Sequence, residues 1–413
     1  MNAEDHAMHY ICEAFDDPFS YLEWMVAARA TVLDYDISTH EEFTSTAHFI
    51  SANLQMLLPE IPREQHLAFS REVKWHQIWA AHDQREFHLA RTTRVIDSSG
   101  IFDDVKGGRR NAIFCTYHVG SYRLINIILH ALDVPYSLVA DHEFVTEQAD
   151  EVRSLAWDLQ STYLKVEPKE LEVLDAEQSS GAFKALRRLK EGRSLLFYID
   201  GNTGVGGHTQ DREKYIAVNF FGHELHARKG IAFISYSADI PIIPVICVRT
   251  GWLDRELHVL EPIVPDRSLS RDEFCRQATQ QLYSTLEKYL RNTPEQWEGW
   301  MYIHKFINTE LLFQHEQQMA EESDMPEFLP DILYTFNSER YVIMQLSEQD
   351  FLFDRRTFRI VPLTYHLKEV LNAFQEPASY ADLCFDDFAV TEEAIRDLYH
   401  HNVIVAQPDG TGH

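Results

Sequence analysis

Apolar and polar positions change rhythm along the chain, and each rhythm implies a different kind of element. From residue 1 to about 100 the apolar positions fall at helical spacing. Tyr21, Leu22, Trp24, Met25, Val26 and Val32 line one face, while Glu23 and Arg29 rule out a membrane span there. His48, Phe49, Leu54, Met56, Leu57 and Leu58 follow and lead to a break at Pro59 and Pro62. His66, His76, His82 and His88 punctuate the next helical stretch. Their spacing forms neither HExxH nor a repeated i, i+4 pair, so they read as solvated histidines and not as metal ligands.

From about 100 to 310 short apolar runs alternate with helical segments. Strands are expected at Ala112–Cys115, Tyr136–Ala140, Ser194–Ile199, Ile216–Phe221 and Ile242–Val248. Helices are expected at Ser121–Leu132, Glu147–Leu164, Gly181–Glu191, Gly230–Ala238 and Arg271–Arg291. Several strand runs are too apolar to face water, which indicates an α/β fold, its sheet covered by helices on both faces. Beyond a polar, acidic connector, Glu310 to Glu327, the rhythm changes again. Tyr341–Leu346 and Phe351–Ile360 read as strands, the second broken by a turn at Asp354–Arg356. Pro362 is expected to open a helix with Leu367, Val370, Leu371 and Phe374 on its apolar face. A short helix over Tyr380–Cys384, a third capped by Thr391 and running to His400, and a strand at Val403–Val405 complete the pattern. The expected organisation is a helical region over 1–100, an α/β core over 101–310 and a small winged-helix-like α+β module over 328–413.

Composition narrows the function more than the fold. The chain has 413 residues, 45% apolar and 25% charged, which is ordinary for a globular protein of two or three domains. Its net charge of −28 is not ordinary and argues against nucleic acid and against an anionic membrane surface. Cys12, Cys115, Cys247, Cys275 and Cys384 are spread singly, as in a reducing compartment without a disulfide framework. Cys115 and Cys247 lie in apolar runs and read as core residues. The acidic opening MNAEDHAMHYICEAF lacks a signal-peptide pattern, and no apolar run approaches the roughly 20 residues of a spanning helix. A cytoplasmic protein is expected.

One stretch carries candidate chemistry. Asn111 to Asn126, NAIFCTYHVGSYRLIN, reads as a buried strand, a turn bearing His118, and a helix start. A histidine there lies near helix N-terminal amides, in reach of an oxygen that develops negative charge. In EGRSLLFYIDGNTG, Asp200 follows a second buried strand and precedes a glycine-containing loop with Asn202. Both His118 and Asp200 then fall at strand C-terminal ends, where ligands of such sheets collect. In VNFFGHELHARKG, Arg228 and Lys229 are adjacent cations suited to a phosphate or carboxylate. His223 and His226 in that block point to opposite faces of a strand, which excludes a shared metal.

The order of these blocks, followed by PVI and then TPEQWEGW (Thr293–Trp300) with His304 and Lys305, resembles the late lipid A (lauroyl/myristoyl-type) acyltransferases. Those enzymes belong to the lysophospholipid acyltransferase superfamily, and the resemblance spans about residues 105–307. It implies a glycerolipid-acyltransferase-like mixed sheet and acyl transfer from a carrier-protein or coenzyme A thioester to a hydroxyl or amine, with no bound cofactor or metal. His118 matches the family's histidine and would be the general base, with amides around Gly120 and Ser121 near the oxyanion.

The family places a carboxylate five residues after that histidine, and here the position is Arg123. A guanidinium beside His118 would favour the neutral imidazole and weaken it as a base. Three readings follow: another acid, Asp200 first and Glu224 second, orients the histidine; the acceptor needs little activation; or transfer is lost and the pocket binds only. Arg123 is also suited to a substrate carboxylate or a phosphopantetheine phosphate. A further departure is expected in the absence of the family's apolar anchor, and another lies in the C-terminal part, where residues 335–407 look like PqqD-like peptide-binding winged-helix domains. Residues 321–413 hold 18 Asp and Glu against 6 Lys and Arg, which disfavours DNA and favours a peptide partner, added as a strand at the hairpin edge. The expected function is therefore a soluble acyltransferase acting on a peptide or other natural-product intermediate. Its rivals are a peptide- or carrier-binding protein on the same fold and a thioester hydrolase.

Overall fold

The runs that are apolar at every position form the middle of a sheet. In a computed structural model that describes residues 18–34, 41–201, 214–322, 326–346, 349–385 and 388–407, the first nine strands are β1 (Arg94–Asp97), β2 (Ile113–Thr116), β3 (Tyr136–Ala140), β4 (Glu172–Asp175), β5 (Ser194–Tyr198), β6 (Tyr215–Phe220), β7 (His223–Arg228), β8 (Ile242–Arg249) and β9 (Arg255–Val259). Seven of these described strands join in the order β1-β9-β8-β2-β5-β3-β4. The β8–β9 pair is antiparallel and the other neighbours are parallel. Every residue of β2 and β8 is buried, as a strand covered on both faces requires. Helix Gly181–Lys190 packs on β4 and β5, and helix Gly230–Ala238 on β2 and β8. The fold is α/β with a mixed, mostly parallel sheet.

The strands β6 and β7 form a separate two-stranded ribbon. Its turn residues Phe221 and Gly222 both have positive φ, 50° and 82°, the conformation that matches a two-residue hairpin to strand twist. Glu287 Oε2 accepts the Phe221 amide at 2.9 Å.

The chain divides into two compact units, one of residues up to Tyr35 with Leu67–Ile307, the other of Asp36–His66 with Asn308–His413. The second unit contains helix Glu41–Leu57 and strands β10 (Tyr334–Phe336), β11 (Tyr341–Leu346), β12 (Gln349–Asp354), β13 (Ile360–Pro362) and β14 (Ile404–Ala406). β11, β12 and β13 form an antiparallel sheet, and β10 pairs with β14. Ala52 packs with Met344, Phe353 and Phe358, and Thr391 caps helix Glu392–His400 by accepting the Ala394 amide.

Several expectations are corrected. Strands β1, β4, β9 and β10 are additional to those read from the pattern. β9 alternates buried and half-buried positions and begins with the buried charge Arg255, so it lacks an apolar run. The helix after His118 begins at Leu124 and not at Ser121, because Ser121 is held in the turn by the contacts described below. Pro362 ends β13, and the next helix starts at Tyr365, capped by Thr364. His66, His76 and His82 are buried, not solvated. His66 is bonded to Ser51 and the Ile61 carbonyl, His76 meets Arg249, and His82 meets Glu86.

Candidate active site

Strands β2 and β5 run parallel with Thr116 opposite Tyr198. His118 and Asp200 each lie two residues past those positions, so equal offsets in register bring them side by side. His118 Nδ1 lies 2.9 Å from Asp200 Oδ1. An ionised carboxylate accepts only, so Nδ1 carries the proton and the lone pair sits on Nε2. Asp200 is 2% exposed and also receives the His118 amide at 3.0 Å and Trp297 Nε1–H at 2.7 Å. Three donors fix the carboxylate, and the carboxylate fixes the imidazole. The His118 side chain keeps 20% exposure, and its Nε2 has no hydrogen bond to a described residue.

The PEQW block locks this turn from the other side. Gln296 carbonyl accepts the Gly120 amide at 2.9 Å, and the Glu298 amide donates to the His118 carbonyl at 3.1 Å. Val119 pairs with Trp297 as an antiparallel bridge. The Gln296 side chain spans the end of β8, accepting from the Arg249 amide and donating to its carbonyl, both at 2.9 Å. Gly120 has φ +60°, and a Cβ there would stand 2.3 Å from the Cys247 carbonyl oxygen. Glycine is demanded both by the left-handed conformation and by the close approach.

Behind the turn lies a buried ionic network. Ser121 Oγ donates to Asp83 Oδ2, and Asp83 also holds Arg255 at 2.9 Å and Arg249 at 3.2 Å. Tyr21 and Asp83 share a further hydrogen bond, and Trp79 donates to the Tyr21 hydroxyl at 2.8 Å. Burial alone would raise the Asp83 pKa, but the two arginines overcome it and hold the carboxyl at about 2. The network thus anchors Ser121 as part of the scaffold.

The pKa of His118 sits above its ordinary value. Burial opposes the charged imidazolium, but the charge and hydrogen bond of Asp200 outweigh it, aided by Glu298, with Arg123 pulling the other way. The expected neutralising effect of Arg123 is therefore present but overridden. Arg123 donates from Nε to the Tyr122 hydroxyl at 3.2 Å and from Nη1 to Gln84 at 3.0 Å. Tyr122 and Tyr198 face the His118 ring, with centroids 4.8 and 5.1 Å away. Burial keeps both phenols neutral, Tyr198 being pushed up to about 12.

Of the residues singled out in the sequence, His118, Asp200 and Arg123 are brought together. Two expectations fail on geometry. The Gly120 amide is taken by Gln296 and the Ser121 amide by the Cys247 carbonyl at 2.9 Å, so neither is available to an oxyanion. Glu224 is an exposed residue of β7 beside His226, at 3.6 Å, so it does not orient His118. Arg228 pairs with Glu177 at 3.2 Å and Lys229 with Asp272 at 3.8 Å. Asn202 lies outside the described residues. Among the described residues no group of three or more His, Cys, Asp and Glu side chains is placed to hold a metal. Tyr122, Tyr198, Trp297, Glu298 and the Asp83 network were not apparent as site residues from sequence. A signal existed for Trp297 and Glu298, because the PEQW block stands out as a unit. None existed for Asp83, the last residue of helix His66–Asp83.

A family model described as bacterial lipid A biosynthesis acyltransferase matches residues 167–308. The matched part contains Asp200 and the PEQW block, and begins after His118. The chain is thus similar over this part to lipid A acyltransferases. No curated protein matches the chain. No helix among the described residues is long and apolar enough to cross a membrane.

Proposed function

We propose, starting from the similarity to lipid A biosynthesis acyltransferases, that this protein transfers an acyl group from a thioester to an amine or hydroxyl with His118 as general base. The observation that carries the reading is the His118–Asp200 pair at 2.9 Å, with Nδ1 committed to Asp200 and Nε2 without a hydrogen bond to a described residue. Asp200 stands in for the carboxylate that position 123 lacks. The acceptor loses a proton to Nε2 as it attacks the thioester carbonyl. The C–S bond then breaks, and His118 returns the proton to the departing thiolate. The Asp200 carboxylate stabilises the imidazolium formed between these steps. The Tyr122 hydroxyl, which accepts from Arg123 Nε, retains its own proton for the oxyanion, replacing the Gly120 and Ser121 amides in that role.

The donor is a carrier-protein or coenzyme A thioester, and the acceptor a peptide or other natural-product intermediate met in the cytoplasm. The acidic second unit suits a peptide partner better than nucleic acid. Thiol release from acyl thioesters, followed with and without amine and alcohol acceptors, tests the reaction. His118→Ala is expected to slow release by a factor of about 10²–10⁴, the usual worth of a general base. Release unchanged in that variant would sink the assignment.

A further inference from the structure

Glu298 is a buried carboxylate with no hydrogen-bonding partner beside the His118 turn. It is 8% exposed, and its amide is tied to the His118 carbonyl at 3.1 Å, directly after the Val119–Trp297 bridge. Its Oε1 is fully buried and unbonded, and no hydrogen bond reaches the carboxylate from a described residue. Its charge is felt by His118, Tyr122, Arg123, Tyr198 and Tyr302, so the carboxylate lies near these groups. Arg123 does not quench it by contact, since the Nε and Nη1 donors of Arg123 go to Tyr122 and Gln84. A buried acceptor left without donors is costly. Such a cost persists most readily where an incoming ligand supplies the missing donors. A hydroxyl would bring one donor and no charge. An ammonium brings up to three donors and the opposite charge.

We propose that Glu298 binds the acyl acceptor and that this acceptor presents a protonated primary amine. The proposal rests on the acyl-transfer reading above and deepens it. The ammonium seats on Glu298 beside His118. In the balanced reaction R–NH3+ and R″CO–SR′ give R″CO–NHR, R′SH and H+. The C–N bond forms and the C–S bond breaks. Of the two protons lost from nitrogen, His118 passes one to the departing thiolate and water takes the other.

The test uses the full chain and its Glu298→Gln variant, with dodecanoyl thioesters of coenzyme A and of an acyl carrier protein as donors. Hexylamine and hexan-1-ol serve as matched acceptors. Hexylamine is expected to be the better acceptor, and Glu298→Gln to lower the amine-to-alcohol ratio of kcat/KM about tenfold, the worth of a charge-assisted hydrogen bond. Equal use of the two acceptors, or an unchanged ratio in the variant, overturns the proposal. Calorimetric binding of hexylammonium and hexanol gives a readout without turnover, and the preference for the ammonium must disappear in Glu298→Gln. If neither thioester is consumed, the acyl-transfer reading fails, while this binding preference still decides for or against Glu298. Thermal melting supplies a control for a purely structural role. Removing an unbonded buried charge is expected to raise the melting temperature of the free protein. A fall would mean the carboxylate holds the fold together, and would count against a ligand-binding role.

Discussion

His118 is the residue on which the chemistry turns, and its charge state can be read from its neighbours. Held above its ordinary value of 6.5 by Asp200 and Glu298, it is protonated at mildly acidic pH and becomes a base only as pH rises past its folded pKa. The acid limb of the kcat/KM profile is therefore expected above 6.5, and Asp200→Asn is expected to move it to lower pH while reducing the maximum rate. A pH–rate profile of both proteins checks this. The same shift acts on stability. A raised folded pKa means the His118–Asp200 interaction stabilises fully below the unfolded value and is lost as pH rises through the folded one. Melting curves of wild type and His118→Ala should converge in that direction. The sequence made Arg123 look decisive because it stands where a carboxylate was expected. In space its effect is the smaller one, since Asp200 touches the imidazole and Arg123 reaches outward to Tyr122 and Gln84.

At the scale of elements, the turn after β2 owes its shape to partners distant in sequence. Gly120→Ala is expected to cost about 1–3 kcal/mol from the left-handed backbone alone, and more from contact with the Cys247 carbonyl. Urea denaturation measures that loss. Because the turn also aims His118, thiol release should fall further than stability alone explains. Strands β2, β3, β5 and β8 were legible because burial on both faces demands unbroken apolar runs. The order of blocks in the sequence also gave the resemblance that the family match supports over 167–308. β9 was not legible, because its first residue is an arginine whose burial depends on Asp83, more than 170 positions earlier (|i−j| = 172). The oxyanion expectation at Gly120 and Ser121 failed for a related reason. Amides at a helix start look unpaired in sequence, but here Gln296 and Cys247 supply their acceptors.

At the scale of the whole molecule, the two compact units are not consecutive in sequence. Helix Glu41–Leu57 belongs to the second unit, where Phe49 meets Phe353 with ring centroids 4.9 Å apart and Ala52 packs on Met344 and Phe358. A fragment of residues 328–413 alone would expose that apolar face. It is expected to fold poorly until residues 36–66 are supplied, and the dispersion of its amide NMR spectrum, with and without that peptide, checks this. A well-dispersed spectrum from the fragment alone would contradict it. The sequence by itself determined the α/β alternation and the buried strands, and it put His118 and Asp200 each at a strand C-terminal end, because periodicity and strand-end position are local properties. Only the tertiary structure decided that those two strands are neighbours, that Asp200 outweighs Arg123, that Ser121 is scaffold, and that Glu298 lies buried beside the His118 turn with its Oε1 unbonded. Charge balance and hydrogen-bond satisfaction are set by distances between groups, and those distances exist only once the chain has folded.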